Sequence, residues 1–242
     1  MTWNTQLYEY GNRVGGKVKL IDYHQFHSLI DVVDKHLEKE NAIAVLQEIP
    51  YKCNVDWKEH ALFDKFNQHY SKDRYDVIYN ISSNSQLKMT AVISKKGLIE
   101  RNQSENHNCY VSFKIKNTDI SALAVHSHNA FECREYLKRD HLNQYNMILG
   151  DFNAGNYKKN HNDEEIAINR QNYLLLTDGY IDICQGEYTT KYNTCIDHIL
   201  LTSSYDFLQM HTYHNLNIDR KIKLSDHYPI TFDFSVKEIN YQ

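Results

Sequence analysis

Apolar residues recur along this chain at two spacings, and each spacing predicts a kind of element. Residues 24–40 carry Phe26, Leu29, Ile30, Val33 and Leu37 in steps of three and four, which predicts a helix with one buried face. Residues 56–70 repeat that spacing through Trp57, Ala61, Leu62, Phe66 and Tyr70, and helices are also expected over 132–145 and 163–177. Short apolar stretches at 2–8, 43–49, 75–82, 89–95, 109–116, 120–126, 146–152, 180–184, 195–202, 207–213 and 228–236 are expected to be strands. Asn117, Thr118 and Asp119 separate two of them as a hairpin turn. Most of these strands are apolar on both sides of the pleat, so they are expected to be central. The pattern predicts an α/β fold of two mixed sheets packed face to face, with helices on the outside. With no internal repeat and no Pro- or Gly-rich linker, residues 1–242 are expected to form a single domain.

Several apolar strands end in polar groups. IAVLQEIP delivers Gln47 and Glu48, ISALAVHSH delivers His126, and ILGDFNAG delivers Asp151 and Asn153. CIDHILL carries Asp197 inside an apolar run, LSDHYPI delivers Ser225, Asp226 and His227, and Asn4 sits in a short strand beside Trp3. Each has an ordinary reading when taken singly: an Asx turn, a strand end, a satisfied buried histidine. Together they point elsewhere. Isolated buried charge is very costly, so such carboxylates must be neutralised, paired or given a cation. No lysine or arginine stands beside each of them. If the strand ends converge, Glu48, Asp151, Asp197 and Asp226 make an acidic cluster suited to a hard divalent ion such as Mg²⁺. His126 and His227 add proton-transfer groups that work near neutral pH. That combination suits metal-assisted hydrolysis of a phosphoester.

The segments WN, LQE, AVHS, GDFN, IDHIL and SDHYPI, in this order and spanning Asn4 to Ile230, resemble the endonuclease/exonuclease/phosphatase superfamily. AVHS and LGDFNA most resemble its deoxyribonuclease I-like branch. The resemblance implies a four-layer α/β sandwich whose sheets are mostly antiparallel. It implies that Glu48 ligates an essential Mg²⁺, which Mn²⁺ can replace, with Asn4 and Asp226 close to it. Asp151 would orient or deprotonate the attacking water, and Asn153 would hold the scissile phosphate. His227, held by Asp197, would contact the phosphate and move a proton, while His126 would bond the phosphate or assist the leaving group. The implied activity is that of a phosphodiester hydrolase, an endonuclease acting on DNA. The alternatives are a phosphodiesterase of small nucleotides or lipid head groups, and a non-catalytic binding module.

Composition modifies this picture only a little. Lys and Arg number 27 against 31 Asp and Glu, so no broad basic face favours tight non-specific nucleic-acid binding. A bound cation can supply the local positive charge instead. Five scattered cysteines without a CxxC pair argue against a zinc site and a disulfide framework. Without a signal-peptide or membrane-length apolar run, a cytoplasmic monomer is expected. One departure from the deoxyribonuclease I pattern stands out. The strand before AVHS usually supplies an acidic partner for the first histidine, and here SSNSQLKMTAVISK offers only Lys88. Lys88 is therefore a candidate phosphate contact. Abasic-site specificity and highly phosphorylated head groups are not indicated, because the phrase after WN is TWNTQLYEYG and only Lys191 precedes IDHIL. His128 and His198 are expected to be non-catalytic, since neighbours on a strand point to opposite faces. Substrate choice is expected to lie in the loops near 9–22, 51–56, 154–165 and 211–224.

Overall fold

A computed structural model describes residues 1–7, 23–51, 62–81, 88–102, 107–127, 143–156 and 163–236. Two six-stranded sheets form among them. The first runs β11 (His211–Ile218), β12 (Ile230–Val236), β1 (Thr2–Asn4), β2 (Ile43–Pro50), β4 (Lys88–Lys95), β3 (Tyr75–Tyr79). The second runs β5 (Ile99–Arg101), β6 (Tyr110–Ile115), β7 (Ser121–His126), β8 (Met147–Asn156), β10 (Cys195–Thr202), β9 (Tyr180–Asp182). β1 pairs with β2, and β7 with β8, in parallel; the other pairings are antiparallel.

Alternation along each central strand builds the layers. Val45, Val92, Ala122, Ala124, Leu149, Ile199 and Leu201 share one core between the sheets. Their neighbours Ala44, Leu46, Ala91 and Ile93 turn outward, beneath α1 (Tyr23–Leu37) and α2 (Leu62–His69). On the second sheet Leu123, Val125, Ile148 and Leu200 turn outward onto a third cluster that takes in Tyr173 of α3 (Asp163–Thr177). Both faces of these strands are therefore covered, which is why their sequences read as continuous apolar runs. α1 buries Phe26, Leu29, Ile30, Val33 and Leu37, the stripe its spacing predicts. Each such side chain contributes roughly 1.5–3 kcal/mol on burial. The result is the expected sandwich of two mixed sheets with helices outside.

Local departures have local causes. The strand expected over 2–8 stops at Asn4, and Gln6 turns the chain with φ +47°. Residues 207–213, expected to be a strand, are divided between α4 (Tyr205–Met210) and β11. The buried positions there are Phe207 and His211, four apart and stacked at 4.2 Å, which is helical spacing. Of the helix expected over 56–70, residues 56–61 lie outside the described residues, Leu62–His69 is helical and Tyr70 is a buried turn residue. The helix expected over 132–145 lies largely outside the described residues, and residues 143–145 within them are not helical. Among the described residues no helix is long and apolar enough to cross a membrane.

Candidate active site

The central core ends in polar groups because three strands stop being apolar at the same level. Ala122 and Ala124 lead to His126 on one face of β7; Met147 and Leu149 lead to Asp151 on β8; Leu201 and Ile199 lead to Asp197 on β10. His126 stands opposite Asp151, and Asp151 opposite Asp197, so the three form one row across adjacent strands. The first sheet does the same. Val45 leads to Gln47, which lies in register with Asn4 on β1.

Irregular backbone then aims the remaining groups. A bulge between Leu46 and Ile49 holds Glu48 at φ +58°, and Asn153 sits at φ +46° beyond Asp151. A left-handed conformation is common for Asn but costs a residue such as Glu of the order of 1–3 kcal/mol, so the surrounding structure must hold it. A second bulge, between Cys195 and Asp197, lies beside Asp197 itself. Gly150 lets β7 and β8 approach, since a Cβ there would lie 2.0 Å from the Val125 carbonyl oxygen.

Asp151 is the hub. Asn4 donates from Nδ2 to its Oδ2 at 2.8 Å, and the Asn153 backbone N–H donates to Oδ1 at 2.8 Å. Asn153 also donates from Nδ2 to the Ser127 carbonyl at 2.6 Å. His227 Nδ1 lies 2.8 Å from Asp197 Oδ2, and its Nε2 stands 3.9 Å from Asp151 Oδ2 and 3.7 Å from Asp226 Oδ1. The last two separations exceed hydrogen-bond length, so that edge of the ring interacts by charge alone. The Trp3 indole N–H holds the His227 carbonyl at 3.0 Å, and Thr189 Oγ1 accepts the Asp197 N–H at 3.2 Å. Trp3 and Ser127 lie in the WN and AVHS segments but were given no role, and sequence reasoning missed Thr189, whose type carries no chemical signal of its own.

His126 does meet a carboxylate, though not from the preceding strand: its Nε2 is 3.3 Å from Glu48 Oε1. Lys88, which replaces the expected acid, binds the same oxygen at 2.7 Å. All eight expected residues are therefore linked. Asn4, His126, Asn153 and His227 surround the Asp151 carboxylate; Glu48 joins through His126; Asp197 and Asp226 join through His227.

Burial and charge set the protonation. Burial raises the Asp151 carboxyl above its ordinary value, with His227 opposing and Asp197 adding to the rise. Burial also pushes Glu48 up, but the hydrogen bond from His126 and the charge of Lys88 outweigh it and hold the carboxyl at about 2. Burial lowers His227, yet Asp197 and Asp151 bring it to about 10, so the ring is an imidazolium at neutral pH. Its stabilising contribution is complete below the unfolded value of 6.5 and is lost as pH rises through about 10. Urea unfolding in EDTA is accordingly expected to show stability falling between these limits, by up to about 1.4 kcal/mol per pH unit. His227→Ala should flatten that slope.

Asp151, Asp197 and His227 place ligand-type atoms within 4.8 Å of one another. Two of the three, Asp197 and His227, are already joined by a hydrogen bond of 2.8 Å. Asp226 Oδ1 is buried without a hydrogen-bond partner, and Glu48 is a carboxylate bound by Lys88. An all-oxygen set of few carboxylates fits Mg²⁺ or Mn²⁺.

No family model matches the chain, and no curated protein matches it in sequence. Solved structures do match. The catalytic domain of APE2 from Xenopus laevis superposes with TM-score 0.59 at 13% identity, over 99% of this chain and 93% of that one. The endonuclease domain of TRAS1, a telomere-specific non-LTR retrotransposon, gives 0.58 at 14%, over 96% and 94%. An endonuclease/exonuclease/phosphatase from Bacteroides vulgatus gives 0.56 at 16%, over 89% and 91%. The chain has the fold of the endonuclease/exonuclease/phosphatase proteins, along nearly its whole length.

Proposed function

We propose that this protein is a divalent-metal-dependent phosphodiesterase that hydrolyses its substrate by in-line attack of water, and that the substrate is DNA cleaved internally. The observation that carries the reading is the row His126–Asp151–Asp197 at the end of the core, with His227 set against it. Asp151, fixed by Asn4 and Asn153 and made more basic by burial, orients the water and takes its proton. His227 presents Nε2–H to a non-bridging phosphate oxygen, and Asp197 keeps the ring charged and in place. Asn153 adds a donor to the same phosphate, so charge that develops on the oxygens meets preset dipoles. His126 supplies a proton to the leaving oxygen. Glu48 and Asp226, with Asn4 beside them, would hold Mg²⁺, which when bound neutralises phosphate charge.

The TRAS1 domain is an endonuclease, and that favours nucleic acid here. The net charge of −4 favours the second reading, a small nucleotide or lipid head-group phosphodiester taken by the same site. Supercoiled plasmid, a labelled oligonucleotide and bis-p-nitrophenyl phosphate, each with Mg²⁺, Mn²⁺ or EDTA, separate them. Metal-dependent nicking is the expected result. Turnover of the small diester with intact DNA would select the second reading, and turnover in EDTA would overturn metal dependence. Mg²⁺ at a hundred times its dissociation constant should also raise stability by about 2.7 kcal/mol.

A further inference from the structure

Behind the GDFNAG end of β8 lies a second histidine–aspartate pair that the chemistry above does not use. His198 is fully buried, and both of its ring nitrogens face acceptors: Nδ1 is 2.9 Å from Asp182 Oδ2, and Nε2 is 2.8 Å from the Ala154 carbonyl oxygen. A neutral imidazole has one N–H and could satisfy only one of them. Two acceptors call for an imidazolium, and Asp182 is its counter-charge. Asp182 is held in turn by the Tyr173 hydroxyl at 2.5 Å and the Cys184 N–H at 3.0 Å. Phe152 and Tyr173 enclose the ring, with centroids at 5.4 and 4.9 Å. Burial works against the charge, but Asp182 overcomes it and raises His198 well above its ordinary value.

Fold stability does not require such a pair, because apolar residues of similar volume usually serve as well or better in a core. What the pair holds is more informative. Ala154 directly follows Asn153, whose backbone and side-chain N–H groups are fixed by Asp151 and Ser127. The next residue, Gly155, has φ +140°, and a Cβ there would lie 2.8 Å from His198 Nε2. The end of β8 is thus gripped from the front by the catalytic row and from the rear by His198.

We infer that His198 is a positioning residue: a buried imidazolium, paired with Asp182, that clamps the Ala154 carbonyl and so fixes Asn153 beside Asp151. The inference rests on the phosphodiesterase reading for its kinetic consequence, but not for its geometry. With Mg²⁺ and bis-p-nitrophenyl phosphate, His198→Phe is expected to lower kcat by about 100-fold while KM and Mg²⁺ affinity hold. His198→Gln keeps an N–H for the carbonyl and should recover most of that loss. Asp182→Asn, which leaves the ring volume intact, should lower kcat in the same way and decides the matter if His198→Phe does not fold. Wild-type kcat in Asp182→Asn, or in folded His198→Phe, would overturn the inference, as would His198→Gln no better than His198→Phe. If the wild-type protein turns over no phosphodiester, the functional reading falls and NMR decides the clamp. Protons on both His198 ring nitrogens at pH 7, and an Asn153 side-chain amide resonance displaced in Asp182→Asn, would uphold it; a neutral ring or an undisplaced resonance would refute it.

Discussion

Asp151→Asn is expected to lower kcat/KM for a phosphodiester on the order of 1,000-fold, within the range for removal of a general base. The amide keeps the volume and can accept from Asn4 or from the Asn153 N–H but not both, a loss set against the removal of a buried charge, and it cannot take a proton from water. Stability should not fall with activity. Asp151 is 1% exposed, and burial raises its carboxyl, so folding works against its charged form. At pH 7 in EDTA the variant should unfold at the same urea concentration as wild type or a higher one. Activity lost at constant or improved stability marks a residue retained for chemistry. A variant that lost both together would identify Asp151 as a structural ligand of the turn.

His227→Ala should do both kinds of damage. The triad loses its proton donor, at a cost of roughly 100- to 10,000-fold in kcat. Asp197 is 3% exposed and is left as a buried carboxylate without its imidazolium, which destabilises by about 3–5 kcal/mol. Because the penalty comes from the orphaned charge, the double variant Asp197→Asn with His227→Ala should be more stable than His227→Ala alone. Additive losses in urea titrations of the two single variants and the double would show that the two side chains are not energetically coupled.

Most of the polar row was readable in the sequence because it depends on parity. A strand buried on both faces has no room for Asp151, His126 or Asp197 unless its end opens onto something, and each lies on the inward-facing parity of its own apolar run. Helix α1 was readable for the same kind of reason, since its stripe is local. What escaped depends on pairing between distant segments. Nothing near Lys88 or Glu48 shows that the ammonium of one donates to the carboxylate of the other across 40 residues. The bulge that turns Glu48 into the site exists only in the register of β2 against β4. His198 was rightly placed on the face away from Asp197, but its role could not be seen, because Asp182 and Ala154 reach it from two other strands. The short helix α4 was lost to an apolar run whose two buried members are four residues apart.

Having three polar side chains at one level of three neighbouring strands limits how the chain can change if the row is to stay together. Deleting a single residue between Met147 and Gly150 would rotate Asp151 to the helix-facing side and bring Phe152 into line with His126 and Asp197. A change of length inside β7, β8 or β10 therefore breaks the row unless a bulge absorbs it. Segments that join strand ends carry no such phase, so they can grow, shrink and diversify without disturbing the reaction centre. New substrates can be acquired there while the chemistry stays the same.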